Sequence, residues 1–225
     1  MGPERSPETT PAPRGAGRGR IVAASILALA LIAVAAFSIG RLSAPVSANP
    51  SNDSNEAGFA RDMQVHHEQA VTMSYIVRDE TDDTDVRLLA YDIARTQSQQ
   101  EGQLYGWLAA WHLPQAAAEP SMTWMTRPSL SGATGHEHAS STPLRATMPG
   151  YATDAQLAHL TSLTGKAAAV DYLRLMIAHH QGGVLMAKAI LARTTDPVVT
   201  AFATGVVASQ TSDIAAMRAL LATRT

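Results

Sequence analysis

Apolar residues recur along this chain in steps of four and three. Phe59, Met63, His66, Ala70, Met73 and Val77 form one series. After an acidic turn, DETDDTD, the rhythm resumes through Val86, Ala90, Ile93, Gln97, Gln100, Leu104, Trp107 and Trp111. Tyr172, Met176, His179, Gly183, Met186 and Ile190 make a third stripe, and Val199, Ala203, Val206, Gln210, Asp213, Met217 and Leu220 a fourth. Such spacing marks the inward seam of helices crossing at small angles. It predicts an all-α fold, a four-helix bundle. Asp196-Pro197 reads as the start of the last helix, with Asp as cap and Pro at the first helical position.

A different pattern precedes these stripes. Ile21 to Gly40 (IVAASILALALIAVAAFSIG) carries no charge, lies after the basic run RGAGRGR and ends at Arg41. Twenty helical residues at about 1.5 Å each match a hydrocarbon core of roughly 30 Å. The arginines before it predict a cytoplasmic tail over residues 1–20, a single-pass transmembrane anchor over 21–40 and a domain outside the cytoplasm. A cleaved signal peptide is the rival reading, since VSAN around Ala48 has the small residues of a cleavage site. Residues 41–57 read as a flexible tether, and 58–225 as the bundle domain, with a loop-rich connection at 113–152.

The two halves repeat. A shift of 113 residues, without a gap, lays Met63 on Met176, His66 on His179, His67 on His180, Val71 on Val184, Met73 on Met186 and Gln97 on Gln210. Each half is thus expected to be one helical hairpin. Matching apolar residues within a hairpin sets Phe59 opposite Leu104, Ala70 opposite Ile93, Met73 opposite Ala90 and Val77 opposite Val86. The same register sets His66 against Gln97, Met63 against Gln100, His179 against Gln210 and Met176 against Asp213. His67 and His180 then lie roughly 100° around their helices and flank the seam.

Composition narrows the chemistry. The 225 residues are 46% hydrophobic and 16% charged, with net charge −2, nine methionines, eight histidines and no cysteine. Disulfides, thiolate metal sites and a cysteine nucleophile are excluded. So is the basic face that nucleic acid requires. A layer of histidine, glutamine and aspartate inside an apolar bundle has two explanations. One is a satisfied hydrogen-bond network that fixes helix pairing. The other is a metal site in which His66, His67, His179 and His180 converge with Met63, Met73, Met176 and Met186. Imidazole and thioether together suit copper, Cu(I) above all. Gln97, Gln100, Gln210 and Asp213 would then orient the imidazoles. Di-iron chemistry needs Glu-x-x-His pairs, which this chain lacks, and there is no His-Glu-x-x-His of a zinc hydrolase.

The runs DMQVHHEQAV, AYDIARTQSQQEGQLYGWL, MPGYATDAQLAHL and LMIAHHQGGVLMA together resemble the bacterial family called domain of unknown function 305. The resemblance spans about Gly58 to Leu221. It implies a ferritin-like fold, export from the cytoplasm, and for some members the handling of copper or silver. It also implies His66, His67, His179 and His180 as signature positions, the four methionines beside them, and Gln97 and Gln210 as the second-helix motif. Many members carry Glu three residues after that Gln. Gln100 and Asp213 stand there in this chain, which counts against a carboxylate-dependent role in the first half. The usual Met-Pro-Gly-Met reads Met148-Pro149-Gly150-Tyr151 here.

The connection offers a second, accessory metal set: His136 and His138 with Met122, Met125 and Met148. The alternative is a solvated loop, because a flexible ligand set is costly to order. Thr153-Asp154-Ala155-Gln156 reads as a capping box opening a short helix through His159, itself expected at the surface. Trp107, Trp111 and Trp124 are expected in packing rather than substrate binding. The favoured function is a membrane-tethered copper-binding protein that sequesters or passes on the ion without turnover. A non-catalytic structural or interaction module is the alternative, and a redox metalloenzyme ranks last. No protein partner is named by the sequence.

Overall fold

The computed structural model describes residues 16–42, 49–117, 119–132 and 148–225, with side chains of the first helix described at 22, 23 and 25–38. The chain forms two compact units, residues 1–48 and 49–225. The first contains helix α1, Ala16–Leu42. Its apolar side chains, among them Val22, Leu27, Ile32 and Phe37, are exposed. The expected transmembrane helix is not carried by the structure. Among the described residues no helix is long and apolar enough to cross a membrane. The cleavage-like residues around Ala48 and the first fifteen residues lie outside the described ones.

The second unit is all-helical among the described residues. Its long helices are α2 (Asn55–Glu80), α3 (Thr84–Ala110), α6 (Gly165–Leu191) and α7 (Pro197–Ala222), with short α4 (Thr123–Thr126) and α5 (Asp154–Ser162) between the hairpins. Local chemistry sets the boundaries. Ser54 accepts from the Ala57 amide, so α2 begins three residues inside the segment read as a tether. Asp83 caps α3 through the Val86 amide. Asp196 caps α7 by accepting from Val198 and Val199, with Pro197 at the first position where no amide is needed. At α5 the capping box forms as the sequence predicts, with Thr153 and Gln156 each bonding the other's backbone.

α2 packs along α3, α6 along α7, and the hairpins meet through α2 and α6. Two apolar clusters fill the bundle. One holds Phe59, Met63, Leu104, Leu108, Trp124, Met186, Ile190 and Val206. The other holds Ala70, Met73, Val77, Val86, Ala90, Ile93, Tyr172, Leu173, Met176 and Met217. Residues matched by apolar register, such as Phe59 with Leu104 and Val77 with Val86, share a cluster. The start of α2 shares its cluster with the end of α6, and the reverse holds in the other. α2 and α6 are therefore antiparallel, and the repeat is related by a near two-fold turn. The histidine pairs sit between the two clusters.

Trp124 joins the core as expected, its ring edge-to-face with that of Phe59 with centroids 5.6 Å apart. Trp107 and Trp111 stack at 5.8 Å and pack, half-buried, on the same cluster. The buried Asp62 carboxylate anchors this connection to α2. It accepts from the Ser121 hydroxyl, from the Met122 amide at 2.7 Å and from the Trp124 indole at 2.9 Å. Burial holds its pKa above the usual carboxylate range.

Candidate metal centre

His66, His67, His179 and His180 are each fully buried. The imidazoles of His66 and His179 stack with centroids 3.8 Å apart. His179 Nε2 lies 2.9 Å from the backbone carbonyl of His66, and His66 Nε2 lies 3.1 Å from the carbonyl of Pro149. A carbonyl only accepts, so each Nε2 carries the proton. That leaves Nδ1 of both rings as a bare lone pair. Neither Nδ1 has a hydrogen-bond partner among the described residues, nor do His180 Nδ1 and both nitrogens of His67.

The polar pairs expected from the register are not hydrogen-bonded: among the described residues no such bond joins His66 to Gln97 or His179 to Gln210. Both rings turn instead onto the α2–α6 contact, where stacking and a carbonyl engage them. His180 is the ring that faces the second helices. Its Nε2 lies 3.5 Å from Gln97 Nε2 on α3 and 3.4 Å from Asp213 Oδ2 on α7. Asp213 thus approaches His180, and Gln100 approaches His67. A helix seam gives the level of a residue but not which of two adjacent rings turns inward.

Electrostatics fit a site of neutral imidazoles. Burial lowers the His66 pKa to about 4; the hydrogen bond that His66 donates to the Pro149 carbonyl opposes this, and proximity to His180 adds to it. Burial, then His66 and His180, lower His67 to about 3. Burial, then the neighbouring histidines, hold His179 well below its usual value. All three are deprotonated at neutral pH, the form that binds metal.

The methionines divide. Met63 and Met186 lie in one apolar cluster, Met73 and Met176 in the other, all fully buried. They divide two and two between the clusters on either side of the histidine layer. Among the described residues no three His, Asp or Glu side chains stand ready to hold an ion. Of the accessory set, Met122 and Met125 pack against the first cluster, Met148 is buried beside the Pro149 turn, and His136 and His138 lie outside the described residues.

Sequence reasoning missed the strap that closes this layer. Pro149–Gly150 is pressed against α6: a Cβ at Gly182 would overlap the Pro149 carbonyl, and one at Gly150 the Ala178 carbonyl. Gly150 also has φ +71, which favours glycine. One turn on, Gln69 donates to the Ala152 carbonyl at 2.8 Å and accepts from its amide at 2.7 Å. The Gly182-Gly183 pair after the second histidines was the available signal, since adjacent glycines inside a helix announce a close approach of backbone.

The model for the family described as domain of unknown function (DUF305) matches residues 56–221. The chain belongs to the DUF305 family. A DUF305 protein of Streptomyces coelicolor, described as secreted, is 50% identical, with TM-score 0.67 over 77% of this chain and 96% of that one. A DUF305 fragment from Deinococcus radiodurans is 30% identical, with TM-score 0.60 over 75% and 95%. CopM in its Cu(I)-bound form is 21% identical, with TM-score 0.54 over 74% and 94%, and shares the fold. No curated protein matches the chain.

Proposed function

We propose that this DUF305 protein binds a soft metal ion, copper foremost, outside the cytoplasm, and sequesters or passes it on without turnover. The observation that carries the reading is the set of buried imidazole nitrogens with no hydrogen-bond partner among the described residues. Unmade hydrogen bonds of this kind cost about 1–3 kcal/mol each. An ion that accepts those lone pairs offsets that cost. His66, His67, His179 and His180 are the donors, joined by thioethers from Met63, Met73, Met176 and Met186. Gln97, Gln100, Gln210 and Asp213 orient them. Because no three ligands stand ready, loading requires imidazoles or thioethers to turn. Copper bound in CopM, a protein of the same fold, is in keeping with this.

The extracytoplasmic setting is supported by the secreted description of the Streptomyces relative. The uncharged run Ile21–Gly40 within α1 supports a membrane tether. A structural role for the histidines draws on a different observation, the two backbone bonds that occupy His66 and His179. Titration of the full chain with Cu(I) against a chromophoric competitor separates the two. Metal binding predicts tight uptake that the His66→Ala, His179→Ala double variant largely removes. A purely structural layer predicts a lower melting temperature for that variant and no uptake by either protein.

A further inference from the structure

The repeat implies that what contacts His180 has a counterpart at His67, since the 113-residue shift maps Gln97 onto Gln210 and Gln100 onto Asp213. The structure breaks this equivalence. His180 Nε2 is approached by both Gln97 and Asp213. Gln100 approaches His67 as Asp213 approaches His180, but neither nitrogen of His67 makes a well-formed hydrogen bond among the described residues, and Gln210, the counterpart of Gln97, has neither amide atom bonded. Both side chains are at least 98% buried, His67 at 0% and Gln210 at 2% exposure. The cause lies one turn beyond the second histidine pair. A Cβ at Gly183 would overlap the Gln210 amide, so the missing side chain admits that amide against α6. The equivalent residue in the first half is Ala70, whose Cβ is buried.

Resting on the metal reading above, we propose that the two halves are unequal metal positions and that a soft monovalent cation loads first at His67. An ion at His67 has only the approach of Gln100 to displace, and it takes up a ring lone pair that no well-formed hydrogen bond occupies. Met63 lies one helical turn before His67, on the same face, and can add a thioether. The side chain that approaches His67 from α3 is an amide, Gln100, where the carboxylate of Asp213 faces His180, and an amide does less than a carboxylate to favour a harder, divalent ion. At His180 an ion must compete with Gln97 and Asp213 for Nε2 or take Nδ1 alone. Asp213 adds an anionic oxygen there, so this half fills second.

The test is a titration of the full chain, labelled with 15N-histidine, with Ag(I) as the probe. The His67 ring resonances are expected to move over the first equivalent and those of His180 over the second. His67→Gln is expected to weaken the first equivalent at least tenfold more than His180→Gln does. Movement of His180 first, simultaneous movement of both, or equal losses in the two variants overturns the ordering while leaving metal binding intact. Should no silver be retained at all, the proposed function falls with it. The order of loading in the unsubstituted chain decides the matter even where His67→Gln lowers folding yield.

Discussion

His179 donates its Nε2 proton to the backbone carbonyl of His66, the residue it repeats, and the two imidazoles stack at 3.8 Å. One bond therefore joins the hairpins, fixes a tautomer and leaves Nδ1 bare. The rings are held neutral by their burial rather than by a partner charge.

Acid should unfold this domain through its histidines. The folded-state pKa values of His66 and His67 fall to about 4 and 3, below the ordinary 6.5. The unfolded chain then binds more protons below pH 6.5, so stability declines as pH falls from there towards 4. Each such histidine contributes a slope of about 1.4 kcal/mol per pH unit in that window. Urea midpoints between pH 7.5 and 4.5 measure it. A flat profile would show that the rings are hydrated and protonate freely in the folded state.

Gly182→Ala should loosen the strap. The added Cβ collides with a backbone carbonyl, which has no rotamer to escape into. Overpacking of this sort costs about 1–3 kcal/mol. Because Pro149 moves, His66 also loses its acceptor, so hydrogen exchange at residues 150–152 should accelerate. Unchanged exchange there would mean the turn does not bear on α6.

Met63→Leu with Met176→Leu separates packing from ligation. Leucine keeps volume and apolarity, so stability should change by less than about 1.5 kcal/mol. Silver affinity of the full chain should fall at least tenfold if the thioethers bind the ion. Equal affinity would confine the site to imidazole.

Asp62→Asn should free the connection from α2. The carboxylate accepts three hydrogen bonds, and an amide with one acceptor oxygen leaves donors of Ser121, Met122 or Trp124 unmet. A loss of about 1–3 kcal/mol is expected, with tryptophan emission shifting to the red as Trp124 meets water. Emission identical to the parent chain would place the anchor elsewhere.

Much of this was legible in the sequence because helices advertise themselves locally. Steps of three and four residues located the four long helices. Asp196-Pro197 and Thr153–Gln156 marked helix starts through contacts spanning three residues. What stayed hidden depends on residues far apart in the chain. Pro149 meets His66 across 83 positions, Gln69 meets Ala152 across the same distance, and Asp62 meets Trp124 across 62. No periodicity encodes such meetings. The seam likewise showed that histidines lie at one level but not that His180, rather than His66, would face Gln97.

The antiparallel meeting of α2 and α6 has a further consequence. A lone hairpin of this design presents a self-complementary face, and two separate copies would close on each other as a symmetric dimer with identical halves. Tying the copies into one polypeptide removes the obligation to be identical. Aspartate can then stand at 213 where glutamine stands at 100, and glycine at 183 where alanine stands at 70, each change confined to one side.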